Sequence, residues 1–147
     1  ELLAPGGRAL FGDAVPGGAT RLHERVDLEG LPEATVRAVR EAEEAAYREA
    51  GEGRFRYDAE RGAAWLEAAG FAPVRSEVVA VEETRRFPVR ALDAWFDDGA
   101  PLRSRLEALG LDAAALREVE ARFRASLQER DVPWRVDWAW LTAGGED

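Results

Sequence analysis

Trp65-Leu66-Glu67-Ala68-Ala69-Gly70-Phe71-Ala72-Pro73-Val74-Arg75-Ser76-Glu77-Val78-Val79-Ala80-Val81 reads as a helix end, a glycine stop and a strand. Asp58 upstream offers an N-cap carboxylate, and Ala63, Leu66 and Ala69 recur at helical spacing on an inward face. Gly70 then closes the helix, since glycine takes the positive φ that a helix C-terminus favours. Val74 to Glu83 is enriched in β-branched residues and partly alternates, which predicts a strand.

Toward the N-terminus, Glu1 to Ala4 reads as a last helical turn and Pro5-Gly6-Gly7 as the turn that halts it. Arg8 to Val15 is expected to be a short buried strand centred on Ala9-Leu10-Phe11, with Gly12 and Asp13 where it ends. Pro16-Gly17-Gly18 breaks the chain again, and Ala19 to Gly30 is expected to be loop. Pro32 and Glu33 suit a first helical turn. Leu31, Thr35, Val39, Ala42 and Ala46 then repeat at helical spacing as far as Gly51.

Toward the C-terminus, Pro88 opens a helix carrying Val89, Leu92, Trp95 and Phe96, which Asp97-Asp98-Gly99 ends. Leu102, Leu106 and Leu109 mark another before Gly110. Asp112 caps a third, whose Leu116, Val119, Phe123 and Leu127 form an amphipathic stripe. After Pro133 the chain alternates, with Trp134, Val136, Trp138 and Trp140 against Arg135, Asp137 and Ala139, so the last element is a strand with one aromatic face.

Composition narrows the function. The 147 residues are 46% hydrophobic with five Trp and six Phe, a core-forming content that argues against disorder. There is no Cys, and the single His with scattered carboxylates leaves no zinc ligand set. No apolar run is long enough to span a bilayer, and no signal peptide is recognisable, so a soluble cytoplasmic protein without membrane partners is expected. A net charge of −9 repels phosphate backbones and disfavours nucleic acid. Small molecules or proteins remain as substrates. The chain starts at Glu1 and contains no Met, so residues are expected to precede it.

Three motifs in order carry a resemblance. Leu2-Leu3-Ala4-Pro5-Gly6-Gly7-Arg8-Ala9-Leu10-Phe11 resembles the L-x-P-G-G turn into the fifth strand of class I S-adenosylmethionine-dependent methyltransferases. Trp65 to Phe71, followed by Val74 to Val81, resembles that family's L-x-x-A-G-F helix and sixth strand, and Val136 to Thr142 resembles its seventh. The resemblance implies an α/β fold, the C-terminal part of a Rossmann-like sheet, with a helical insertion over residues 87–130 between the last two strands. It implies that the last strand lies between the other two and antiparallel to them. It implies S-adenosylmethionine as cofactor of an intact parent protein and a small-molecule methyl acceptor, a protein acceptor being the lesser alternative. This chain, however, has no glycine-rich loop between a strand and a helix and no ribose-binding acid after a second strand, so it is expected to bind no cofactor by itself and to be inactive alone. Self-association, or pairing with the missing N-terminal half, is expected at the strand holding Leu10 and Phe11. A non-catalytic acidic α+β module that binds a protein or a ligand is the alternative.

Three residues are candidates for substrate contacts. Asp13 sits near the carboxyl end of the first strand, where open α/β sheets place ligands; it serves either substrate orientation or a turn before Pro16. His23, the one imidazole, is either a base near neutrality or a solvated loop residue. Trp95, with Phe96, either lines the acceptor pocket or packs in the core. The aromatic strand face reads as core, and Arg85-Arg86 as solvated surface.

Overall fold

The computed structural model describes residues 7–49 and 58–144. The elements follow in the order β1 (Ala9–Val15), α1 (Glu33–Glu49), α2 (Ala59–Ala68), β2 (Val74–Arg86), α3 (Val89–Phe96), α4 (Pro101–Ala108), α5 (Ala113–Leu127) and β3 (Asp131–Ala143), with 3-10 turns at Pro16–Gly18 and Leu22–Arg25. The helix end and turn expected over residues 1–6, the stop at Gly51 and the second glycine of Gly144-Gly145 lie outside the described residues. Two compact units emerge. The first takes residues 7–19, 58–82 and 135–144, and the second residues 20–49 and 83–134.

The first unit is built on a three-stranded antiparallel sheet in the order β1-β3-β2. The last strand in sequence is thus the middle strand in space, as expected. Phe11 faces Leu141, Gly12 faces Trp140 and Asp13 faces Ala139. Side chains alternate between the faces of a strand, so Phe11, Asp13, Ala139 and Leu141 share one face, and Leu10, Gly12, Trp140 and Thr142 share the other. Helix α2 lies on the first face: its Gly62, Trp65 and Leu66 line a cleft together with Phe11, Asp13 and Leu141. Asp58 caps α2 by accepting the Arg61 N–H at 2.7 Å, and Gly70 ends the turn at φ +91°. The inward face of α2 differs from the expected one. Ala59 and Gly62 are buried, Ala63 and Leu66 are half-buried, and Ala69, in the closing turn, is exposed.

The second face stands open among the described residues, which corrects two expectations. β1 is not a buried strand: Leu10 is 65% exposed and Phe11 41%. Nor does β3 keep one buried aromatic face. Val132, Trp134 and Val136 are buried, but from Ala139 the buried positions are Ala139, Leu141 and Ala143, while Trp138 is half-buried and Trp140 exposed. The period of two survives and its phase moves by one residue. The cause is coverage: Trp134 packs edge-on against Phe87, ring centroids 5.6 Å apart, whereas α2 covers the opposite, odd-numbered face further along.

Trp138 and Trp140 stack on the open face, centroids 6.0 Å apart and planes 20° apart. Gly12 makes room for them, because a Cβ there would stand 2.5 Å from Cζ3 of Trp140. Gly12→Ala is expected to push Trp140 out of the stack and cost about 0.5–1.5 kcal/mol, the worth of one aromatic pair. Near-ultraviolet circular dichroism should lose the coupled-indole signal, and Trp140→Leu should relieve most of the stability cost of Gly12→Ala in urea unfolding. An unchanged indole signal in Gly12→Ala would refute this packing.

The second unit is helical. α1 packs on α4, and α3 packs on α4 and α5. Asp112 caps α5 by accepting the N–H groups of Ala114 and Ala115 at 2.9 and 2.8 Å. The expected stripe of Leu116, Val119, Phe123 and Leu127 is buried, alongside Leu92, Phe96, Leu102 and Leu106, whereas Leu109 falls just past the end of α4 and is exposed. β2 continues three residues beyond the expected Glu83, to Arg86. Within residues 19–30, expected as loop, the chain forms the 3-10 turn Leu22–Arg25.

Candidate functional site

That turn docks on a buried carboxylate. Glu43 faces it from α1 and is buried, 5% exposed. Its Oε1 accepts the Leu22 N–H at 2.6 Å, and its Oε2 accepts the His23 N–H at 3.0 Å. Oε2 also lies 2.7 Å from Nδ1 of His23. A buried carboxylate is costly unless hydrogen-bonded, and here two backbone donors at the start of a turn and one ring donor meet it. One residue along α1, Glu44 accepts from Nε of Arg21 at 2.7 Å, and the Arg21 guanidinium lies over the Tyr47 ring, 4.1 Å from its centroid. Burial, and secondarily the charge of Glu43, hold the Tyr47 phenol above its ordinary pKa, so it stays protonated.

His23 is therefore no solvated loop residue. Its side chain is 13% exposed and clamped by Glu43. A carboxylate takes only donors, so Nδ1 is the ring nitrogen that donates to Glu43 and Nε2 is the one turned away from that contact. An imidazole oriented in this way can accept a proton from a ligand hydroxyl or amine at Nε2. The sequence offered no sign of Glu43, one of many acidic residues on a helix; only the fold sets it against residues twenty positions away.

Glu43→Gln gives the cluster a test. Glutamine has one acceptor oxygen for two backbone donors, so the N–H of Leu22 or His23 loses its partner, at a cost of about 1–3 kcal/mol. Urea unfolding should show that loss, and hydrogen exchange should speed up at those two amides before others in the unit. Unchanged exchange would mean that the carboxylate does not anchor the turn.

The other two candidates lie elsewhere. Asp13 belongs to the first unit, where it is exposed, one position past the middle of β1 rather than at its end. Its Oδ1 accepts the N–H of Ala14 at 2.8 Å, a local contact, and it lines the cleft under α2 with Phe11, Gly12, Gly62, Trp65, Leu66 and Leu141. The cleft encloses about 300 Å³. Trp95 belongs to the second unit and packs, half-buried, against Phe87 with centroids 5.7 Å apart, while its neighbour Phe96 is a core residue. His23 and Trp95 share a unit but engage different partners.

No protein-family model matches the chain, and no curated protein matches it. Among the described residues no helix is long and apolar enough to cross a membrane, and no three His, Cys, Asp or Glu side chains gather as a metal site. Gly17-Gly18, the one glycine pair within the described residues, does not form a glycine-rich turn from strand to helix. It follows β1 but lies in a 3-10 turn, and the space where Gly18 would carry a Cβ is filled by the carboxylate of Asp137, leaving no cradle for a ligand.

Proposed function

We propose that this chain is the C-terminal part of a class I methyltransferase domain that presents a small-molecule acceptor for methylation, the cofactor being held by residues outside it. The observation that carries this reading is the strand order. A sheet in which the final strand enters antiparallel between two earlier ones is the arrangement that the three sequence motifs imply, and it does not follow from hairpin connections between successive strands. The open face bearing Leu10 and Trp140 adds support, since doubly wound sheets are covered on both faces. In this reading the Glu43-backed His23 takes the proton from the acceptor, and the rest of the contribution is positional.

The test is the reading frame upstream. A hydrophobic strand followed by a glycine-rich turn and a helix, with an acidic residue after the next strand, is expected there, and the longer protein should transfer a labelled methyl group. The 147-residue chain alone should bind S-adenosylmethionine no more tightly than about millimolar, because few specific contacts offset the entropy of association. Equilibrium dialysis measures this, and micromolar binding by the isolated chain would overturn the assignment of the cofactor to other residues. A second reading, a ligand-binding module without catalysis, draws on the same lack of a cofactor cradle; an upstream frame without the strand and glycine-rich turn would favour it.

A further inference from the structure

The cleft under α2 has a chemistry of its own. Its walls are Phe11 and Leu141 from the sheet and Trp65 and Leu66 from the helix, and the one charged side chain among its lining residues is Asp13. The wall is ordered on the sheet side, where Phe11 meets Phe71 edge-on with centroids 6.3 Å apart and Leu141 is buried. Trp65 is 53% exposed and lines the same cleft as Asp13. Asp13 has one hydrogen bond, to its neighbour's N–H, and no cationic partner among the described residues. Gly62 contributes no side chain to fill the space.

We propose that this cleft binds a small organic cation: an ammonium group on an apolar body, with the charge paired to Asp13 and the body against Phe11, Trp65 and Leu66. A carboxylate pairs with an ammonium by charge-assisted hydrogen bonds, and an indole attracts the same group through its negative face. Neither an anion nor a purely apolar ligand meets both features. A volume of about 300 Å³ lies at the small end of ligand sites, which suits an arylalkylamine rather than a nucleotide. The binding does not rest on the methyl-transfer reading.

Titration of the 147-residue chain with 2-phenylethylammonium and, separately, with neutral 2-phenylethanol tests the site. The amides of Gly12, Asp13 and Gly62 and the indole N–H of Trp65 are followed by nuclear magnetic resonance. The ammonium is expected to bind at least about tenfold more tightly than the alcohol, a difference of ~1.4 kcal/mol. Asp13→Asn should erase that difference while leaving the alcohol's binding unchanged, and Trp65→Ala should weaken both. Equal binding of the two probes, an undiminished difference in Asp13→Asn, no binding, or shifts mapping outside the cleft would overturn the proposal. Ammonium binding in a chain whose parent transfers no methyl group would leave the site standing and remove only the methyltransferase reading.

Discussion

Phe123→Ala is expected to destabilise the helical unit by about 3–5 kcal/mol, the usual range for truncating a fully buried aromatic. Phe123 is 1% exposed, near the middle of the α5 stripe, and meets Phe96 of α3 edge to face with centroids 5.2 Å apart. Its removal forfeits transfer energy, the ring pair and the dispersion contacts of whatever cannot collapse into the gap. Domains of this size are stable by only about 5–15 kcal/mol, so the variant stands near unfolding at ambient temperature. Urea titration followed by far-ultraviolet circular dichroism reports the helices directly. Leu109→Ala is the control: Leu109 is 39% exposed and past the end of α4, so its truncation should cost less than about 1 kcal/mol. Equal losses for the two variants would mean that the core is misplaced.

What the sequence discloses here is set by how local the cause is. Asp112 and the three-four-four spacing behind it lie within one helix, so cap, length and buried face of α5 are all readable without the fold. Asp58 and Gly70 bracket α2 for the same reason. The placement of β3 in the middle of the sheet is not local, and it was legible only through the resemblance of three separated motifs. Its buried face was not legible at all. Alternation shows that a strand has two kinds of position, but which kind is covered depends on where α2 lies, so the tryptophans that read as one core face are divided, Trp134 inside and Trp140 outside. The site divides in the same way. His23 stands out as the single imidazole, whereas Glu43 gains its role only because the turn at Leu22–Arg25 docks on α1, a contact that turns an expected loop into an anchored one. Asp13 was visible as a carboxylate near a strand end; Trp65 and Leu66, which wall the cleft beside it, come from α2, about fifty residues later.

Self-association of the isolated chain through β1 is the expectation with the largest effect on its handling. Among the described residues β1 is an outer strand of the sheet, and an outer strand has one backbone edge whose N–H and C=O groups are a template for another strand. The opposite edge strand, β2, carries Arg75, Glu77, Glu82, Glu83, Arg85 and Arg86, charges that discourage such pairing. β1 carries only Asp13, and Ala9-Leu10-Phe11 has neither charge nor Pro. The open face adds apolar surface at the same place, with Leu10 and Trp140 both exposed, so pairing at the edge also removes area from water. The net charge of −9 opposes association, but it is screened beyond about 8–10 Å at physiological ionic strength, while strand pairing acts in contact. Sedimentation is therefore expected to show oligomers growing with concentration and persisting when salt is raised. Leu10→Arg, which sets a charge on both the edge and the bare face, should return the chain to a monomer with its far-ultraviolet spectrum unchanged. Ala14→Lys places a charge four residues along the same strand and should do likewise if Leu10→Arg impairs folding. A wild-type chain that stays monomeric at high concentration, with the amides of Ala9, Leu10 and Phe11 strongly protected from exchange, would show that residues of the chain itself cover this edge. The first unit would then be a finished domain, and the proposal that it completes a larger sheet would fail.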